Sequence, residues 1–255
     1  MDNKKTIIIA TVGKGGVGKT SLSAAAVRLL SERFPEKRIL AIDADPAVGL
    51  ATALGADVSS TVDDIRKNFI ANVENTGAKA AVEMLAEAKY QIADALVEMN
   101  NISFLAIGRP ESAGCYCKVN AYLKEVISMI ADNFDYIVID GEAGIEQVNR
   151  RVMEKVTHLL LISDASKKGL GVVKTVHDVA KELVMFENAG VIVNRMPDMS
   201  REGSLDTNGI ELLCCIPDDK SMTLNDMDGL SIFELDASSP VIQGIEKALN
   251  KLNIL

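Results

Sequence analysis

The sequence predicts an α/β fold: a mainly parallel, twisted sheet of about seven or eight strands with helices on both faces. Three observations predict it. Short β-branched runs alternate with helix-forming segments along the whole chain, the pattern of strand–helix–strand units. Those runs are near-continuously apolar, as strands buried on both faces should be. The first of them feeds through a glycine-rich turn directly into a helix-forming segment. Across 255 residues there is no repeat, low-complexity tract or linker, so residues 1–255 are expected to form one domain. A chain of this length needs no disulfide staples.

The elements follow in order. Strand candidates are Thr6–Val12, Arg38–Ile42, Ile102–Ile107, Tyr136–Asp140, His158–Ile162, Gly190–Asn194 and Glu211–Ile216. A helix is expected through Leu22–Leu30, directly after the glycine-rich turn. The longest helix candidate is Ala78–Met99, where Val82, Leu85, Ile92, Leu96 and Met99 share one stripe and Glu83, Glu87 and Glu98 lie largely off it. Further helices are expected at Val119–Ala131, Gly169–Glu187 and Pro240–Lys251.

Composition narrows the function classes. Lys and Arg number 27 against 36 Asp and Glu, a net charge of −9. That balance argues against broad nucleic-acid binding and against docking on anionic lipid. No apolar run approaches the ~18 residues of a membrane span. The apolar N-terminal stretch runs straight into the glycine-rich turn, so it reads as a core strand and not a signal peptide. Four cysteines without a secretory signal point to a reducing, cytoplasmic setting.

Gly13-Lys14-Gly15-Gly16-Val17-Gly18-Lys19-Thr20 matches G-x-x-x-x-G-K-[ST], and its flanks are the strand and helix that pattern requires. Glycines let backbone N–H groups close around the β- and γ-phosphates, and the new helix points its positive end at them. Lys19 supplies a point charge, and the Thr20 hydroxyl is placed to ligate Mg²⁺; Ser21 completes the expected phosphate-binding set. The motif predicts a nucleoside triphosphate site for ATP or ADP. Lys14 is not required by the general loop and cannot easily reach its own γ-phosphate.

Ligands of such sheets sit at the carboxyl ends of the strands, where the remaining motifs fall. Asp140 ends a core strand and suits Mg²⁺, directly or through water; Asp45, on a loop shaped by Pro46 and Gly49, suits Mg²⁺ and the attacking water. Aspartate also caps helices, and the residues alone leave both readings open. Asn194 and Arg195 end one later strand, and Pro217 and Asp218 another; an Asn amide there can pair with the adenine edge. Asn after a strand is also common in turns.

Cys115 and Cys117 stand one residue apart on a Gly- and Pro-rich loop after the third strand, suited as thiolates to a soft or borderline metal. Two ligands are too few for a closed site. Cys214 and Cys215 are adjacent on a strand and point to opposite faces. His158 and His177 read as structural. A second copy of the same loop, brought by a two-fold dimer, is the remaining source of ligands.

These residues resemble the deviant Walker A branch of the P-loop NTPases: septum-site and plasmid-partition ATPases, the nitrogenase iron protein, and metal-centre maturation ATPases. The resemblance implies that Lys14 crosses a dimer interface to the partner's nucleotide. It supports Asp45 in the first switch and Asp140 of Asp140–Glu146 in the second, and it places adenine at Val193-Asn194-Arg195 and Ile216-Pro217-Asp218. Gly108-Arg109-Pro110-Glu111-Ser112-Ala113-Gly114-Cys115 resembles the iron protein's first cluster loop. That family's second cluster cysteine corresponds here to Gln147, which argues against an iron–sulfur cluster. The Cys-x-Cys pair looks like the nickel-insertion ATPases of carbon monoxide dehydrogenase, or a relative that matures acetyl-CoA synthase. The resemblance therefore implies a Mg²⁺-dependent ATPase, a nucleotide-driven homodimer, and Ni²⁺ or Zn²⁺ at its interface. A positioning ATPase is the competing expectation. The segment Ile242–Leu255 carries too little positive charge for an interfacial helix and suits core packing better.

Overall fold

The computed structural model describes residues 5–45, 47–73, 80–108, 117–141, 152 and 155–255. Its strands are β1 (Ile7–Gly13), β2 (Ile39–Asp43), β3 (Val97–Met99), β4 (Ile102–Ala106), β5 (Tyr136–Asp140), β6 (His158–Ser163), β7 (Asn188–Met196) and β8 (Leu212–Pro217). The α-helices are α1 (Lys19–Arg33), α2 (Gly49–Leu54), α3 (Val62–Val73), α4 (Ala80–Asp94), α5 (Cys117–Ala131), α6 (Lys167–Leu183), α7 (Lys220–Met227) and α8 (Pro240–Lys251). The strands form one eight-stranded sheet in the order β3-β4-β2-β5-β1-β6-β7-β8. Every pairing is parallel except β3 with β4.

Each sheet face carries its own apolar layer. One holds Ile9, Ile39, Ala41, Phe104 and Val138 under α1 and α8. The other holds Ala10, Ile42, Leu105, Ile137 and Ile139 under α3, α4, α5 and α6. Ala24, Ala25 and Ala26 are fully buried, and such small side chains let α1 lie close on the sheet. The apolar face of α8 (Val241, Ile242, Ile245, Leu249) is buried against that layer, so this helix packs in the core as expected. No helix among the described residues is long and apolar enough to cross a membrane.

One expectation needs correction. The segment Ala78–Met99 is not a single helix: α4 ends at Asp94, and Val97–Met99 turns back antiparallel on β4. The turn uses Asn100 at φ 52°, a left-handed position that asparagine tolerates. Leu96 and Met99 continue the helical stripe, yet Val97 and Met99 also satisfy the two-residue period of a strand. Smaller shifts follow local chemistry. Ser166 caps α6 by accepting the Gly169 N–H at 2.9 Å, which starts that helix two residues before the expected Gly169, and it stops at Leu183 because Val184 is extended. The helices α2, α3 and α7 have no counterpart among the expected helices.

Candidate active site

The turn after β1 delivers the chain into α1 at the carboxyl edge of the sheet. Gly18 makes that entry at φ 91°, and a Cβ there would stand 2.6 Å from the Asn194 amide. Glycine is required on both counts. No side chain caps α1, so its first N–H groups face outward with the positive end of the helix dipole. Lys19 is buried and its Nζ donates to its own loop at Lys14 O, 3.3 Å away. This loop lines a cavity of about 600 Å³ together with Thr20, Ser21, Asp45, Gly49, Arg195 and Leu230. A larger cavity of about 790 Å³ lies beside it and shares Arg195. The smaller one holds the phosphate-loop chemistry, and volume alone does not choose between them.

Two carboxylates meet behind the loop. Asp43 and Asp140 are cross-strand partners on β2 and β5, and Thr11 on β1 is the next residue along the same rung. Asp140 Oδ1 accepts from Ser23 Oγ at 3.1 Å and Thr11 Oγ1 at 3.3 Å, and those two hydroxyls lie 2.7 Å apart. Its Oδ2 is buried with no hydrogen-bond partner among the described residues. Burial raises the Asp140 pKa, opposed by the nearby hydroxyls of Thr20, Ser23 and Thr11 and by the charge of Lys19. An orphaned, buried carboxylate oxygen next to the Thr20 hydroxyl fits a hydrated Mg²⁺.

Asp43 Oδ1 accepts the Asp45 N–H at 3.0 Å and Oδ2 accepts the Leu50 N–H at 2.8 Å. It therefore holds both ends of the loop that carries Asp45. Burial and the neighbouring Asp140 charge push its pKa up to about 7. Asp45 lines the cavity, and its Oδ1 accepts the Ala47 N–H at 2.9 Å.

The end of β7 grips the phosphate loop from the other side. Asn194 Nδ2 donates to Val17 O at 2.8 Å, and Arg195 Nη1 to Gly16 O at 3.2 Å. One amide hydrogen of Asn194 is thereby committed to the loop. Arg195 sits at φ 54°, uncommon for a residue other than glycine. Gly18, Asn194, Arg195, Asp218 and Asp219 line a small space of about 60 Å³, with Pro217 just before them at the end of β8. Asp218 is exposed, whereas Asp219 is buried, capping α7 and accepting the Val241 N–H at 3.1 Å.

Lys14 Nζ lies 2.8 Å from Asp164 Oδ2. Cys115 lies outside the described residues, and of Cys117 only its place at the start of α5 is described. Pro46 and residues 142–151 also lie outside them. Among the described residues no group of three or more His, Cys, Asp and Glu is placed to hold a metal. Cys214 and Cys215 face opposite layers, as expected. His158 lies between the Thr157 hydroxyl at 2.8 Å and the Asn188 amide at 3.3 Å, a satisfied structural position.

The structure thus brings Lys14, Lys19, Thr20, Asp45, Asp140, Asn194 and Arg195 to one edge of the sheet. Sequence reasoning missed Thr11, Ser23, Asp43 and Asp164. For Asp43 a signal existed: it is the last residue of its strand, two before Asp45.

Comparison with known proteins agrees with this geometry. The sequence pattern of a family described as an AAA domain matches residues 4–188. An uncharacterised ATP-binding protein of Methanocaldococcus jannaschii is 35% identical over 250 residues, covering 96% of this chain and 98% of that protein. The carbon monoxide dehydrogenase accessory protein CooC of Rhodospirillum rubrum is 28% identical over 248 residues, 89% of each chain. The septum site-determining protein MinD of Pyrococcus horikoshii, solved with Mg-ADP, shares the fold at a TM-score of 0.68 and 22% identity, over 98% of this chain and 96% of that one. The chain belongs to this AAA-domain family and is an ATP-binding P-loop ATPase.

Proposed function

We propose that this ATPase works as a two-fold dimer that carries Ni²⁺, or another borderline metal, to a carbon monoxide dehydrogenase-type client. The observation that carries the reading is the Cys115-Tyr116-Cys117 sequence, whose last residue begins α5, on a chain 28% identical to CooC along most of both lengths. An acetyl-CoA synthase client is the nearest alternative.

The described geometry supports the ATPase half of the proposal. Loop N–H groups and Lys19 hold the β- and γ-phosphates, with Ser21 behind them. Thr20, Asp140 and Asp45 would hold Mg²⁺, which when bound would supply charge neutralisation at the phosphates. Asp45 orients the water that attacks the γ-phosphorus as ADP leaves. Asn194, Arg195, Pro217 and Asp218 receive the adenine. Lys14 crosses to the partner's nucleotide, and the paired loops offer the metal four thiolates from two chains. Hydrolysis changes metal affinity only if the two nucleotide states differ in metal binding free energy.

The test is stoichiometry. Metal is expected to titrate at one ion per two chains. Cys115→Ser and Cys117→Ser each lose most of the affinity and keep ATP binding. Binding weakens as pH falls, because the thiols must shed protons. One ion per chain, or unchanged binding in the double serine variant, refutes the shared site.

A further inference from the structure

In the single chain Lys14 already has a partner. Its ion pair with Asp164 is about one-third exposed on each side, at 36% and 35%. Asp164 is fixed from behind. Its Oδ1 accepts the Ser166 N–H at 3.0 Å as well as the Ser166 hydroxyl, and Ser166 in turn caps α6. Position 169 leaves the carboxylate its room, since a Cβ there would stand 2.2 Å from Asp164 Oδ1. One carboxylate oxygen is thus anchored at the start of α6, and the other faces the phosphate loop. Burial pushes the Asp164 pKa up, but the hydrogen bonds from Lys14 and Ser166 outweigh it, and the net direction is down.

We propose that Asp164 is a positioning residue that holds Lys14 within its own chain and yields it to the partner's phosphates when the ATP-bound dimer forms. This rests on the reading that Lys14 acts across the dimer. The physical basis is competition for one ammonium. A γ-phosphate across the interface carries more charge than a carboxylate and takes the lysine. A diphosphate offers no γ-phosphate, and Asp164 takes it back. The pair therefore makes dimer formation depend on the γ-phosphate, beyond what binding to Lys19 requires.

The test is dimerisation, measured by sedimentation at saturating Mg²⁺ with ATP or ADP. Asp164→Asn keeps the shape and removes the competing charge. An exposed ion pair is worth about 1.4- to fivefold in an equilibrium constant, so freeing two chains tightens the ATP dimer by about 2- to 25-fold. A measurable fraction of dimer then appears with ADP. Reactivity of Lys14 toward an amine-acylating reagent, read by mass spectrometry without nucleotide, rises in the variant. Gly169→Ala displaces the same carboxylate sterically and shifts dimerisation the same way, which keeps the test intact if Asp164→Asn fails to fold. Unchanged or weaker dimers in both variants overturn the proposal. If Lys14→Gln dimerises like the wild type, the trans-acting lysine itself is refuted. Loss of dimer in Lys14→Gln with no gain in either Asp164 or Gly169 variant refutes only the holding role.

Discussion

Asp43 is predicted to cost the nucleotide-free protein stability as pH rises. In the folded chain its pKa stands at about 7, against an ordinary 3.8, chiefly because it is buried and next because Asp140 lies beside it. The folded state therefore binds more protons than the unfolded state between those values, and stability falls as pH climbs through that window. The full swing is ~4 kcal/mol, of which about 2.5 kcal/mol falls between pH 5 and pH 8. Asp43→Asn removes the titration. An Asn oxygen can accept only one of the Asp45 and Leu50 N–H groups, so the variant also carries a pH-independent cost of ~1–3 kcal/mol. Urea unfolding of both proteins at pH 5 and pH 8, without nucleotide or Mg²⁺, isolates the difference. The wild type is expected to lose about 2.5 kcal/mol relative to the variant across that range. A stability difference constant to within ~0.5 kcal/mol at the two pH values would refute the reasoning.

Two further outcomes are expected at the same edge of the sheet. Asp45→Ala keeps ATP binding, read by equilibrium titration, because Lys19 and the loop N–H groups still hold the phosphates, and loses hydrolysis, because the group that positions water and contributes to the Mg²⁺ site is gone; turnover at the wild-type rate would return Asp45 to the role of a loop cap. Ser23→Ala leaves Asp140 Oδ1 with the longer Thr11 contact alone. It costs ~1–2 kcal/mol of stability and weakens the Mg²⁺-dependent part of nucleotide binding while sparing binding measured in chelator; equal Mg²⁺ dependence in both proteins would show that Ser23 does not orient the carboxylate.

The sheet was legible because most of its strands are near-continuous apolar runs, and β1, β2, β5 and β8 close on a glycine, an aspartate or a proline. Tyr136–Asp140 and Pro240–Lys251 fall where the sequence places them. What was not legible depended on tertiary contact. Val97–Met99 is a strand because β4 offers it an open edge, and α7 is held by Asp219, whose side chain caps it and reaches Val241. In the candidate site, the phosphate loop and the strand-end aspartates announce themselves by motif. Ser23, Thr11 and Asp164 are ordinary residues in sequence, and only the packing of α1 on the sheet and the turn into α6 gives them their partners.

The rung of Thr11, Asp140 and Asp43 has a consequence for how the chain finds its fold. Strands apolar on both faces pair almost as well after a slip of one residue, since hydrophobic alternation cannot tell the registers apart. Here the slip would turn Asp43 and Asp140 from the α1 face, where hydroxyls and loop N–H groups meet them, into the opposite apolar layer. Burying two unpartnered carboxylates there costs several kcal/mol each. The polar rung at the carboxyl end of otherwise oily central strands thus favours the native register over its one-residue slip before any nucleotide is present.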